Sequence, residues 1–467
     1  MEKKRVKEHS LIRKYLGGGG AAAAFFKGYE ERPQQIEMAE AVLRALSARE
    51  HLAVEAGTGV GKSFAYLIPL ILTIREFPGP SVVSTNTIHL QEQLIEKDIP
   101  FLSRITGEEF TVVLAKGRSN YVCLRRLRKA VEKKNTLFRR GEVDALTAVW
   151  EWAGTSTDGS RSDIPRTPSM QIWSEVCSEN NNCLGRKCPY YEKCFFQKSR
   201  RQMYSADILV VNHHLFFSDL ALKAEGVSFL PAYQTVVFDE AHTVEDVASR
   251  HLGQEISNFH VKWLLRKIYS GRGKKGYFSG HPAEDIVADP VAACSDICDG
   301  FFSEVLVWLE EQGRDIRACS AQFILDPLSP ALDDLAAVLR QARSRAESKE
   351  DEVEISAYRE KVLGMSAAVR ILVGQELAGQ VYWAEVARSR QPRVALTCSP
   401  ISVADTLKKT VFDEIDSVVL TSATITTDRD RGFSYFLDRI GGNGIETLRT
   451  NSPFDYRNNV RIHIPEN

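Results

Sequence analysis

The eight residues Ala56, Gly57, Thr58, Gly59, Val60, Gly61, Lys62 and Ser63 constrain this chain more than any others, because they follow an apolar strand-like run, His51–Glu55, and open a helix-like one. A glycine-rich turn in that setting aims backbone N–H groups at a β-phosphate, and the positive helix N-terminus adds to the attraction. Lys62 then offers a mobile positive charge to the β- and γ-phosphates, and the Ser63 hydroxyl can take one position around Mg²⁺. The strict pattern has Gly where Ala56 stands. A plain glycine turn at a strand end lacks the trailing Gly-Lys-Ser, so ATP with Mg²⁺ is the expected ligand.

The surrounding pattern is that of an α/β protein. From Arg32 to about Lys116 the order is helix, strand, glycine loop, helix, strand (Ser81–Ser84), helix, strand (Phe110–Leu114), the alternation of a parallel sheet. Residues 117–203 interrupt it with cysteines, arginines and lysines, and the runs Ile208–Val211 and Thr235–Phe238 restore it. From about Val244 to Val381 helical spacing dominates, with the run Lys349-Glu350-Asp351-Glu352 expected as a solvated turn. Arg393–Thr397 and Ser417–Thr421 are expected as the last strands of the first sheet, and the small-residue stretch Gly17 to Ala24 as an entry segment that does not pack.

The run Val236-Val237-Phe238 ends in Asp239-Glu240-Ala241-His242, so a strand delivers two carboxylates to the edge at which open α/β sheets bind ligands. Asp239 can hold Mg²⁺, and Glu240 can orient and deprotonate an attacking water. An Asp-Glu pair alone is often only a solvated strand end; downstream of a phosphate loop it gains weight.

Nine cysteines, an odd number in a long chain without a signal-like start or an apolar run of membrane-spanning length, argue for reduced thiols in the cytosol. Cys183, Cys188 and Cys194 are closely spaced and Cys123 lies some sixty residues earlier. Four thiolates suit an iron–sulfur cluster or a structural zinc, and spacing alone leaves the metal open. Cys177 could replace one of the four; Cys294, Cys298, Cys319 and Cys398 read as small buried hydrophobes. Sixty basic against sixty-one acidic side chains give a net charge of −1, so any nucleic-acid signal is local. Arg118, Arg125, Arg126, Arg128, Lys129, Arg139, Arg140 and Lys187, interleaved with Tyr121, Tyr190 and Tyr191, provide one, although such runs are often solvated helix faces.

Taken together these motifs resemble the iron–sulfur DNA helicases of superfamily two related to XPD and DinG. Asp239-Glu240-Ala241-His242 resembles their DEAH box, with His242 at the nucleotide, and Arg32-Pro33-Gln34-Gln35 resembles the adenine-reading element, with Gln35 or Gln34 as the base contact. Ser84-Thr85-Asn86-Thr87 with Leu90-Gln91-Gln93-Leu94 is similar to the element that grips single-stranded DNA, and Thr421-Ser422-Ala423-Thr424 to the one coupling ATP state to that grip. The segment ending in Cys123 and the Cys183–Cys194 segment look like the cluster module, so the resemblance implies Cys123, Cys183, Cys188 and Cys194 as ligands of a 4Fe–4S cluster. Asn212-His213-His214 resembles a family segment near the nucleotide face, where ring packing or a polar contact is favoured over a metal role.

The implied fold is a RecA-like P-loop parallel-sheet ATPase domain with an inserted iron–sulfur module and an inserted helical, arch-like domain. The expected division is 1–30 as entry segment, 31–116, 204–243 and 382–450 as motor domain, 117–203 as cluster module, 244–381 as helical insertion, and 451–467 as the start of a link to a second motor domain, which is expected to be absent. The implied activity is ATP-driven 5′→3′ translocation on single-stranded DNA or DNA junctions, in repair or replication in a bacterial cytosol or nucleoid. A partner chain supplying the second motor domain, a non-motor ATP- and DNA-binding protein, and a plain phosphoryl-transfer enzyme are the other readings; the last explains neither the cysteines nor the helicase-like motifs.

Overall fold

A strand buried on both faces needs helices above and below it, and several of the runs expected as strands are of that kind. The computed structural model describes residues 2–224, 226–271, 275–426 and 432–454, with Asn458, Arg461 and His463, so the expected link over 451–467 lies mostly outside the described residues. Its strands are β1 (Leu52–Ala56), β2 (Ser81–Thr85), β3 (Val112–Leu114), β4 (Ile208–Asn212), β5 (Thr235–Asp239), β6 (Gln254–Ser257), β7 (Ile316–Ala318), β8 (Gln380–Ala387), β9 (Arg393–Pro400), β10 (Ser417–Ser422) and β11 (Glu446–Thr450). The chain divides into two compact units, the first made of Met1–Lys116, Arg201–His251 and Ser402–Asn467 and the second of Gly117–Arg200 and Leu252–Ile401.

The first unit is built on a seven-stranded sheet in the order β11-β1-β10-β5-β2-β4-β3, with every pair parallel. β1, β2, β5 and β10 are buried throughout, as a doubly covered sheet demands. Helix Pro33–Ala48 starts on a proline, whose fixed φ suits the first helical position, and stops where Arg49 turns left-handed at φ 57°. The N-terminal segment is no mere entry. Helix Glu2–Leu16 buries Ile12, Tyr15 and Leu16 in the same core as Ile36 and Leu67, and Ala22 is buried with them. Small side chains let the chain turn closely here: a Cβ on Gly17 would sit 2.6 Å from the Arg13 carbonyl oxygen.

The second unit holds two apolar cores. Val122, Leu127, Phe138, Trp173 and Val176 form a small one within 117–200. Helices Asn258–Ile268, Glu284–Glu311, Leu328–Ala342 and Lys349–Gly374 form the other against an antiparallel sheet in the order β6-β9-β8-β7. That sheet corrects two expectations: 244–381 is not wholly helical, and Arg393–Thr397 belongs to β9, away from the parallel sheet, so 382–401 lies outside the first unit. The physical reason is local. β8 and β9 are joined by a short connection and pair antiparallel along eight residues each, and β8 alternates buried and half-buried positions as a one-faced sheet does.

Nor is Lys349-Glu350-Asp351-Glu352 a solvated turn. It is the first turn of helix Lys349–Gly374, where Ser348 Oγ accepts the Asp351 N–H at 3.1 Å and three carboxylates meet the positive end of the helix. Asp351 is buried, accepts from Tyr277 and His281, and pairs with Lys129 at 3.2 Å. Arg125 and Arg126, expected as DNA contacts, are each 2% exposed. Arg126 lies 3.5 Å from Glu354 and 3.4 Å from Glu179, which also takes Lys361 at 2.7 Å. These residues turn inward because helix Leu124–Glu132 packs its basic face on the acidic face of Lys349–Gly374. Arg128, by contrast, is exposed and pairs with Glu132 and Tyr190 at the surface. Among the described residues no helix is long and apolar enough to cross a membrane.

Removing Arg126 takes the nearer arginine from Glu354 and one of two cations from Glu179, and weakening a buried pair in this way costs up to about 3–5 kcal/mol. Arg126→Ala is therefore expected to lower the urea midpoint of the second unit's unfolding sharply, whereas Arg128→Ala leaves it where it was; circular dichroism during denaturation reads both.

Candidate functional site

In an open parallel sheet the helix-bound loops after the strands share one edge, and here β1, β10 and β5, neighbours in the sheet, bring three motifs to it. β1 ends at Ala56 and leads through Gly57, Thr58, Gly59, Val60 and Gly61 to helix Lys62–Thr73. Gly59 and Gly61 both take φ 86°, a left-handed conformation that side chains resist. A Cβ on Gly61 would also lie 2.2 Å from Gln35 Nε2, and one on Gly59 would lie 2.2 Å from the Phe454 ring. The loop thus needs glycine for both conformation and space.

The Lys62 ammonium stands 3.5 Å from Glu240 Oε1. Glu240 takes a left-handed φ of 57° just past β5, unusual for a residue with a side chain, and its N–H donates to Asp239 Oδ1 at 3.0 Å. His242 Nδ1 lies 2.8 Å from Ser422 Oγ and 3.4 Å from Glu240 Oε2, and the Ser422 hydroxyl reaches Glu240 Oε2 at 3.5 Å. The acidic motif and the Ser-Ala-Thr motif therefore meet across β5 and β10. Burial, with the Glu240 charge beside it, pushes the Asp239 carboxyl up to about 6 against the pull of Lys62. Tyr66, one turn after Lys62, donates its hydroxyl to Asp239 Oδ2 at 3.0 Å.

Beside the loop lies a cleft of about 340 Å³, lined by Arg32, Gln35, Gly61, Ser63, Phe26, Phe64 and Asp98 among others, a size suited to a small ligand. Gln35 is buried and donates to the Gly61 carbonyl at 2.9 Å; Gln34 does not line the cleft. Phe26 and Phe64 both pack on Phe101, at 4.8 and 5.4 Å between centroids, giving the cleft an aromatic wall. His213 is buried against Phe238, with Nδ1 2.7 Å from Ser84 Oγ, and burial lowers it to about 4, so it is a neutral packed ring. Tyr66, Phe26, Phe64 and Asp98 escaped the sequence reading. Tyr66 left a trace as the lone hydroxyl in the apolar helix run Ala65–Leu72, and Phe26 as an aromatic ahead of Arg32.

The four cysteines sit in the second unit. Cys123 caps helix Leu124–Glu132, and Arg125 Nη2 from that helix donates to the Asn182 carbonyl at 3.1 Å, next to Cys183. Burial, with Cys123 and Cys183 nearby, raises the Cys188 and Cys194 thiols above their ordinary value. The Gly185 N–H approaches Cys183 Sγ at 3.4 Å, the Tyr190 N–H bonds Cys188, and the Phe196 and Gln197 N–H groups bond Cys194. Among the described residues no three His, Cys, Asp or Glu side chains converge tightly enough to hold one metal ion. Cys177 stands apart, in the apolar core beside Trp173 and Val176, while Cys294, Cys298 and Cys398 are buried in the other core.

Were Asp239 to hold Mg²⁺, protons would compete for it, and raising pH through about 6 would free the carboxylate and strengthen Mg²⁺-dependent nucleotide binding. The same raised value means that the folded state loses stability as Asp239 ionises: the contribution is present below the ordinary Asp range and lost as pH passes about 6. Titrating a fluorescent ATP analogue with and without Mg²⁺ between pH 5 and 8 reads the first effect, and Asp239→Asn should flatten it.

The DEAD_2 family model matches residues 168–261. The chain is 30% identical over 452 residues to the ATP-dependent DNA helicase YoaA of Escherichia coli, covering 96% of this chain and 68% of that protein. It is 34% identical over 264 residues to the ATP-dependent helicase DinG of Mycobacterium tuberculosis, covering 53% of this chain and 39% of that protein. A solved XPD helicase shares the fold at a TM-score of 0.50 and 13% identity, over 90% of this chain and 62% of that one. Aligned over 96% of its length with that YoaA at 30% identity, and with DinG at 34% over a shorter span, the chain belongs to the YoaA/DinG family of ATP-dependent helicases.

Proposed function

We propose that the chain is an ATP-dependent DNA helicase that couples ATP hydrolysis at the β1–β10–β5 edge to movement along single-stranded DNA. The observation that carries this is the meeting of Lys62, Glu240, His242 and Ser422 within 3.5 Å steps at one strand edge. Arg32 and Gln35 would take the adenine in the cleft against Phe26 and Phe64, and the loop N–H groups and Lys62 the phosphates. Mg²⁺ bound there would neutralise charge developing on the phosphates. Ser63 and Asp239 would hold it, with Tyr66 fixing the Asp239 carboxylate. Glu240, oriented by Ser422 and His242, would accept the proton of the attacking water.

The finer parts of the reading rest on the family likeness and on particular residues. Thr87 caps helix Ile88–Gln93 and is exposed with His89, offering two polar side chains to a DNA backbone after β2. Polarity 5′→3′ and action at junctions belong to the same proposal. A 4Fe–4S cluster would be held by Cys123, Cys183, Cys188 and Cys194, and its role is to brace the second unit. The donor set fits it: four thiols, with backbone N–H donors beside Cys183, Cys188 and Cys194.

The test is ATP turnover by anaerobically purified chain with and without single-stranded DNA, alongside metal analysis. Turnover stimulated by DNA, lost in Lys62→Ala by a factor of about 10² or more, with about four irons per chain that Cys188→Ser loses, is the expected result. ATP and DNA binding without turnover would favour a non-motor role or a split motor instead, and zinc in place of iron would remove the cluster from the reading.

A further inference from the structure

Glu55, the residue immediately before the phosphate loop, has no part in the chemistry above, yet its carboxylate is the most heavily bonded at this edge. It is buried at the end of β1 and accepts the N–H groups of Ile425 at 2.7 Å and Thr426 at 2.6 Å. The Thr426 hydroxyl donates to it at 2.9 Å, and Arg449 Nε on β11 lies 2.9 Å away. Burial opposes the charge, but these donors hold the carboxyl below its ordinary value, so it stays ionised. A buried carboxylate satisfied in this way fixes whatever supplies its donors.

Two chain segments supply them. Ile425 and Thr426 follow directly on Thr421-Ser422-Ala423-Thr424, whose Ser422 touches both His242 and Glu240. Arg449 precedes Ser452, whose Cα would lie 3.3 Å from a Cβ on Gly57, and Phe454, whose ring covers Gly59. The carboxylate thus stands where the phosphate-loop strand, the exit from the Ser-Ala-Thr motif and the segment lying over the loop glycines come together. Any shift of the loop on binding phosphate must pull on all three, because a charged group with its donors in place moves with them rather than apart from them.

We propose that Glu55 is a positioning residue that carries the state of the phosphate loop to the Ser-Ala-Thr exit and to the Ser452–Phe454 segment. This rests on the ATP-driven helicase reading, for it names the link through which that cycle is transmitted. Glu55→Gln keeps the shape but turns an amide N–H toward the donors.

The experiment combines amide hydrogen exchange with kinetics on the whole chain. In the wild type the Ile425 and Thr426 amides are expected to be protected, and Mg²⁺ with a slowly hydrolysed ATP analogue to change that protection. In Glu55→Gln protection should fall by about tenfold or more and its response to nucleotide vanish. DNA-stimulated kcat should drop by about tenfold while KM for ATP stays within about threefold, with Glu55→Asp restoring part of it. If Glu55→Gln fails to fold, Thr426→Val, which removes only the hydroxyl bond, is read for the same loss of nucleotide response. Nucleotide-responsive protection that persists in the variant, or a kcat that does not move, overturns the proposal. A wild type that hydrolyses no ATP would sink the helicase reading instead, while the exchange response would still decide the link.

Discussion

Burying one carboxylate beside a second, half-buried one at the end of a strand is unfavourable unless a cation stands by, and this requirement organises the first unit. Asp239 is nearly closed off from solvent and sits beside Glu240, and the raised Asp239 value records the strain of that pairing. Lys62 offsets part of it from the neighbouring loop at 3.5 Å from Glu240. The parallel sheet is what allows this, because only strands running the same way deliver their following loops to the same edge. β1 and β5 flank β10, so lysine, carboxylates and the Ser-Ala-Thr segment meet without any long connection.

The second unit solves a different problem with similar means. Its cysteine segment is short of apolar residues and carries many arginines and lysines, so it cannot stand on a large core of its own. It borrows acidic partners from helix Lys349–Gly374: Glu354 faces Arg125 and Arg126, and Asp351 faces Lys129. Buried pairs gain little over apolar substitutes, but an unpaired member is heavily penalised, so such a network favours one packing over others. The helix bearing Cys123 at its cap is thereby fixed, and with it the residue before Cys183 through Arg125 and Asn182. The charge that read as a nucleic-acid signal is in part the mortar of the fold.

Legibility in the sequence followed the physics of each feature. The phosphate loop, the acidic strand end and the apolar parallel strands are local patterns: glycine spacing, a strand-end pair and continuous apolar runs reveal them whatever lies nearby. That Gln35 and not Gln34 lines the cleft was not legible, since both lie on one helical turn and only the closeness of Gly61 sets the first apart. Likewise Lys349 to Glu352 looks solvated by composition, and only the facing Lys129, Tyr277 and His281 make Asp351 an interior residue.

By itself, then, the sequence determined the glycine loop, the acidic pair and the parallel sheet that joins them, because each is written in residues near one another or in a fixed period. Tertiary structure alone decided which arginines face solvent and which face Glu354, that Arg393–Pro400 pairs with Gln380–Ala387 rather than with the parallel sheet, and that Glu55 gathers donors from Ile425, Thr426 and Arg449. The physical reason is that burial and charge pairing depend on partners hundreds of residues away, and no local pattern carries their distance.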